Sequence, residues 1–133
     1  MDFASIGLEP EATMHVKDVR GALAYDDDGS PITITLMSDD AEPVQRQQRE
    51  AVNRRMDVKR GQVKVNMQGL DEEALDKLAV ATVRWSGIKS GGEPLPCDFK
   101  VVRALYEQHR WLREQVDEFI ADRANFLTSS QSS

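Results

Sequence analysis

Two histidines, one cysteine and a run of three aspartates are the residues of this 133-residue chain whose types suit catalysis or metal binding. His15 falls in an alternating stretch and His109 between two helical ones. Neither has a second histidine at the His-x-x-x-His spacing that puts two imidazoles on one helical face around a metal ion. Cys97 with His109 would make a thiolate–imidazole pair only if folding brought them into contact, and nothing in the sequence requires that. Cys97 reads instead as a small residue at a helix start. No glycine-rich phosphate loop and no paired cysteine ligands occur. The run Asp26-Asp27-Asp28-Gly29-Ser30-Pro31 invites a calcium reading. A calcium loop of the EF-hand type alternates its oxygen ligands, turns on a glycine at its sixth position and closes with a glutamate at its twelfth. Counted from Asp26, those positions hold Pro31 and Met37, and the three acids are consecutive. The run therefore reads as a solvated turn. We expect no catalytic residue, no cofactor and no metal, hence a protein that is not an enzyme.

The other chemical concentration is cationic. Asp39, Asp40 and Glu42 precede Pro43, a helix-start pattern. The helix expected over residues 44–60 carries Arg46, Arg49, Arg54, Arg55, Lys59 and Arg60 against only Glu50 and Asp57. Its apolar side is thin: Val44, Ala51, Val52 and Met56. One reading is a solvated face that balances acids elsewhere. The functional reading is a docking surface for an acidic partner, carried by Arg46, Arg49, Val52, Arg54, Arg55 and Met56. A nucleic-acid groove lacks the interleaved aromatic residues on which bases stack. The net charge of −6 also argues against nucleic acid as partner of the whole chain.

These residues must be positioned by one small α+β domain over residues 1–127. Residues 1–11 carry few packing signals beyond Phe3, Ile6 and Leu8. Met14, Val16 and, out of phase, Val19 mark a first strand. Arg20-Gly21 and Asp26 to Pro31 are turns. Ile32, Ile34 and Leu36 alternate with Thr33, Thr35 and Met37, which marks a half-buried strand. Residues 12–38 are thus expected to form an antiparallel β-hairpin or small meander. Such a unit must pack on helices or on another subunit.

Residues 40–127 are expected to form a bundle of about four helices. Gly61 and Gly69 bracket Val63, Val65 and Met67, a short strand or extended connection. Asp71 reads as an N-cap with Leu70 as its staple. Leu75, Leu78, Thr82 and Trp85 fall on one helical face, and Gly87 suits a left-handed end. Gly91, Gly92, Pro94 and Pro96 break the chain. The next helix starts at Cys97 or Asp98 and buries Phe99, Val102, Leu105 and Tyr106. The last has a stripe of Leu112, Val116, Phe119, Ile120 and Leu127. The tail over residues 128–133, TSSQSS, is too polar to pack. One cysteine makes no internal disulfide. No apolar run spans a bilayer and no signal peptide is expected, so the default location is cytoplasmic.

The runs LAVATVRWSGI, GEPLP and REQVDEFIADRANFL resemble the tail assembly chaperones of long-tailed double-stranded DNA bacteriophages. In that family a helix ends in Trp-x-x-Ile/Val, a turn with proline follows, a small polar residue opens the next helix, and the last helix closes near Asn-Phe-Leu. Trp85, Ile88, Pro94, Pro96, Asn125, Phe126 and Leu127 match, and Gly87, Phe99 and Phe119 belong to the same structural framework. Cys97 departs from the serine expected at the cap. The resemblance covers about the last fifty residues well.

It implies a non-structural protein of the host cytoplasm, absent from the finished virion. Such a protein binds the tape measure protein, keeps it soluble and helps recruit tail tube subunits. Relatives often also yield a frameshifted longer product. Coating a long client favours a homo-oligomer, held by the hairpin edge or by the side carrying Val44 and Met56. The alternative is a small tail or head–tail connector protein retained in the particle.

Overall fold

Ile32, Ile34 and Leu36 alternate with polar neighbours, and a run that hides every second side chain favours a strand. In the computed structural model, which describes residues 2–57 and 67–127, it forms β2 (Thr33–Met37). β2 is the middle of a three-stranded antiparallel sheet, with β1 (Glu11–His15) on one side and β3 (Thr82–Ser86) on the other. Met14 pairs with Ile34 and Ala12 with Leu36. Met14, Val16, Ile34 and Leu36 face the core. The link from β1 to β2 folds into the expected meander. The Asp18 carboxylate accepts from the Arg20 and Ala22 amides, which sets the first turn. Leu23 and Tyr25 make bridges to Lys17 and Pro31. Val19, out of phase in the sequence, is exposed.

Four helices follow: α1 (Glu42–Asp57), α2 (Met67–Ala81), α3 (Phe99–Gln108) and α4 (Arg110–Ala121). The architecture is α+β, as the sequence led us to expect. Lys59, Arg60, Val63, Val65 and the tail over residues 128–133 lie outside the described residues.

The largest departure concerns residues 82–86. Leu75 and Leu78 are buried in α2, as their spacing demands. The helix nevertheless ends at Ala81, and Thr82 to Ser86 run on at once as β3. Thr82, Val83 and Trp85 are β-branched or aromatic, and the open edge of β2 offers their backbone a ladder. Trp85 pairs with Ile34, and the register slips between Thr35 and Leu36, leaving Val83 as a bulge. Trp85 is half-buried, and its indole N–H donates to Leu95 O at 2.9 Å, which fastens the turn at residues 89–96. That turn is itself a two-residue ladder of β4 (Lys89–Ser90) and β5 (Glu93–Pro94). Gly87 does not end a helix. It turns β3 towards β4 at φ +84°. α2 likewise starts earlier than Asp71, so Leu70 is a helical residue.

Asp98 is the cap of α3: its carboxylate accepts from Val101 N at 3.0 Å. Cys97 precedes the cap and packs on the core. Val102 and Tyr106 are fully buried, but Phe99 is 48% exposed. Spacing put Phe99 on the inner side. It stands in the first turn, outside the core cluster, and Cys97 and Leu105 take the contacts there. Leu112, Val116 and Ile120 bury the stripe of α4, and Phe119 packs edge-on against Phe126. α4 ends at Ala121. Asp122 caps a 3-10 turn (Arg123–Phe126), which breaks the helical phase. Phe126 therefore turns inward, while Leu127 is exposed and bridges Leu8.

The Thr82 hydroxyl donates to Leu78 O at 2.8 Å and lies 2.7 Å from the Tyr106 hydroxyl, so it accepts from Tyr106. Thr82→Val leaves the buried Tyr106 hydroxyl without a partner and is expected to cost about 1–3 kcal/mol. Tyr106→Phe removes the hydroxyl itself and should cost less, and the double variant should fall close to Tyr106→Phe. Urea unfolding of the three variants measures this order. Gly87→Ala places a methyl 3.0 Å from Ile32 Cγ1 at a positive φ. A loss of at least about 1 kcal/mol is expected in the same assay.

Candidate interaction surface

A helix whose apolar side chains point in two directions cannot bury both against one core. In α1, Val44 and Ala51 point inward and are buried, whereas Val52 is 44% and Met56 69% exposed. The apolar side read from the sequence is thus two sides, and only Val52 and Met56 are free for a partner. The arginines divide similarly. Arg46 and Arg49 both reach Glu42, at 3.8 and 2.7 Å. These bonds hold the Glu42 carboxyl below the usual carboxylate range, Arg49 first. Arg55 Nε stands 3.3 Å from Glu73 and ties α1 to α2. Arg54 is exposed and makes no ion pair with a described residue. At 3.6 residues per turn the four guanidinium groups spread around the helix, so they do not form one face. Arg49 and Arg55 are the two that border the exposed apolar residues.

Between α1 and α2 lies a groove of about 290 Å³. Ala51, Val52, Leu70 and Ala74 supply its apolar lining, and Gln47, Gln48, Arg55, Glu73 and Lys77 its polar rim. A shallow concavity on α1, lined by Arg49 and Val52 with Gln45, Gln48 and Asn53, continues it outward. Ala74 and Lys77 were not among the residues singled out from the sequence, and Leu70 was read there only as a staple before the helix. Their spacing of four and three is helical, but it shows only once α2 is started before Asp71. Lys77 is held away from the groove's mouth by Asp39 at 3.3 Å and Asp117 at 3.6 Å.

The residues suited to catalysis are dispersed and engaged. His15 Nε2 lies 2.8 Å from Ala24 O, and its ring stands edge-on to Tyr25. His109 joins α3 to α4 and stacks edge-on with Trp111. Burial, and secondarily the Asp98 charge, pushes the Cys97 thiol up, away from the thiolate form that a nucleophile needs. Asp26 pairs with Lys89 at 2.9 Å, which lowers its pKa, and Asp28 accepts from Ser30 N. The aspartate run is a turn pinned to β4. Among the described residues no group of three His, Cys, Asp or Glu is placed to hold a metal ion. No described helix is long and apolar enough to cross a membrane. Of the framework residues, Trp85, Gly87, Pro94 and Pro96 shape the turn, Phe119 and Phe126 pack at the end of α4, and Phe99 is half-exposed at the start of α3; none of them lines this groove.

No protein-family model, no curated protein and no solved structure matches the chain.

Because Val52 and Met56 make no core contact, their loss should not unfold the domain. Val52→Gln with Met56→Gln is expected to leave thermal stability within about 0.5 kcal/mol of the parent. Ala51, 3% exposed beside them, should tolerate no such change. Thermal melts of both variants check the contrast.

Proposed function

We propose that this protein is a tail assembly chaperone of a long-tailed double-stranded DNA bacteriophage. It works in the host cytoplasm and is not retained in the finished virion. Its client is the tape measure protein, a long helical chain that it keeps soluble while tail tube subunits are recruited. The observation that carries this reading is the α1–α2 groove. Val52 and Leu70 are exposed together there, Arg55 stands at the rim, Arg49 lines the concavity that continues it past Val52, and Met56 is exposed one turn further along α1. An amphipathic helix lays apolar residues into such a groove and reads the rim with its charges. Covering apolar stripes of an unassembled helix lowers the population that aggregates. The resemblance of residues 78–127 supplies the biological setting.

The test is co-expression with tape measure fragments, followed by solubility and pull-down. The parent chain is expected to keep the fragments in solution. Val52→Gln with Met56→Gln should lose most of the capture while remaining folded. Arg49→Glu with Arg55→Glu should weaken capture and flatten its salt dependence. Fragments equally soluble without the chain would overturn the chaperone reading. So would finding the chain in purified virions by mass spectrometry, the result that a retained tail or connector protein gives.

A further inference from the structure

The chain contains one Asp-Gly bond, Asp28–Gly29, and no Asn-Gly. The backbone requires glycine there. Gly29 N donates to Asp26 O at 2.9 Å, and Asp26 N donates to Ser30 O at 2.7 Å. That pair of bonds makes a three-residue hairpin loop, in which a tight turn runs into a left-handed bulge residue. Gly29 is that residue, at φ +86°. A Cβ on it would meet nothing within 4 Å, so the backbone angle, not crowding, selects glycine. The same choice leaves the amide of residue 29 without the steric shield of a side chain. Asp28, Gly29 and Ser30 are all exposed, so water reaches the bond. Two contacts oppose reaction in the closed turn. The Gly29 N–H is committed to Asp26 O. The Asp28 carboxylate accepts from Ser30 N at 2.9 Å, and the Ser30 amide and hydroxyl hold it below the usual carboxylate range. Asp26 is itself pinned to β4 by Lys89 at 2.9 Å.

We propose that Asp28–Gly29 is a site of isoaspartate formation whose rate is set by how often this turn opens. The chemistry needs only water. The Gly29 nitrogen attacks Cγ of Asp28 in its acid form. The N–Cγ bond forms, the Cγ–OH bond breaks, and the amide proton leaves with the hydroxyl as water. The product is a five-membered succinimide. One water molecule then opens the ring. Attack at Cγ restores aspartate. Attack at the main-chain carbonyl carbon leaves Gly29 joined to the side-chain carboxyl, with a free α-carboxylate and an added methylene in the chain. One water is lost and one regained, so the composition is unchanged. In the closed turn the nitrogen must give up Asp26 O, and the carboxylate must take a proton against its Ser30 contacts. An opened turn loses both restraints together, so reaction follows opening. The added methylene then shifts Ser30 out of register with Asp26, and Pro31 out of its bridge with Tyr25. Conversion therefore loosens the meander between β1 and β2. The site uses no residue of the α1–α2 groove and stands apart from the proposed function.

Ageing the full chain at neutral pH tests it. Isoaspartate is read with an isoaspartyl-specific carboxyl methyltransferase and a labelled methyl donor, and peptide mapping places the label. In guanidinium chloride the parent is expected to accumulate isoaspartate at residue 28 ahead of every other position. The folded parent should accumulate it there at least about tenfold more slowly, because a turn held by several bonds is open in a small minority of molecules. Lys89→Ala unpins Asp26 and should raise the folded rate about two- to fivefold, the shift that one exposed ion pair controls, with the unfolded rate unchanged. Asp28→Asn keeps the acceptor for Ser30 N but cannot ionise. Its deamidation passes through the same ring and is read by mass. It should again run about tenfold slower in the folded chain, since Gly29 N–H stays on Asp26 O. Both replaced side chains are on the surface, and circular dichroism confirms that each variant is folded. Equal rates in the folded and unfolded parent would overturn the proposal. So would a dominant site elsewhere in the unfolded chain, or a folded rate indifferent to Lys89→Ala. Loss of folded protection in Asp28→Asn would overturn it too, by assigning the slow reaction to ionisation and not to closure of the turn.

Discussion

The passage from α2 to β3 without a single linking residue governs the rest of the molecule. A helix that becomes a strand between Ala81 and Thr82 cannot swing relative to the sheet it enters. Leu75, Leu78, Ala79 and Ala81 are thereby laid against Ile34 and Leu36, and all six are buried. The hydroxyl of Thr82 holds the junction. Its one proton goes to Leu78 O, the last turn's carbonyl, and its lone pair receives the Tyr106 proton. Tyr106 is buried, and desolvation raises its pKa far above neutrality, so it remains a donor at any physiological pH. One hydroxyl pair therefore fixes three elements: the end of α2, the start of β3 and the middle of α3.

With α2 so placed, its two remaining sides have separate duties. Asp71 pairs with Arg113 of α4, and Asp76 with Arg103 of α3 at 2.6 Å. The first contact lowers the Asp71 pKa and the second raises that of Arg103. Each of these pairs is partly exposed and orients a helix more than it stabilises the fold. Lys77 sits among Asp39 and Asp117 with only 18% of its side chain exposed. The distance from Lys77 to Asp39 Oδ1 is that of an ion pair, yet this oxygen is buried without a hydrogen bond of good geometry. Coulomb attraction alone compensates its burial there. The other side of α2 carries Leu70, Glu73 and Ala74 into the groove beside α1. Core, helix orientation and interaction surface thus share one fifteen-residue helix.

Features set by short-range rules were legible in the sequence, and those set by partners in space were not. The turns at Gly21 and Gly29, the strand through Ile34 and the inner stripe of α4 each depend on neighbours within a few residues, whereas the cap of α3 falls at Asp98 and not at Cys97, where the resemblance had put it. Trp85 shows the opposite case. Leu75, Leu78, Thr82 and Trp85 satisfy a helical period, yet Thr82 to Trp85 also suit a strand. Four residues cannot decide between the two periods. The free edge of β2, almost fifty residues away in sequence, decides it. The arginines of α1 could be counted but not phased, because the thin apolar side hid the division between Val44 and Val52. Phe99 and Leu127 were assigned to buried stripes that their helices do not extend far enough to complete.

The α1–α2 groove offers little beyond apolar contact. Ala51, Val52, Leu70 and Ala74 line it, while the charges at its rim are already engaged: Arg55 by Glu73, and Lys77 by Asp39 and Asp117. A segment laid into it would therefore gain affinity from burial more than from new ion pairs, since breaking an existing pair offsets what a replacement returns. Ordering and desolvation offset most of that burial, so a single groove of this size suits a contact that forms and releases readily.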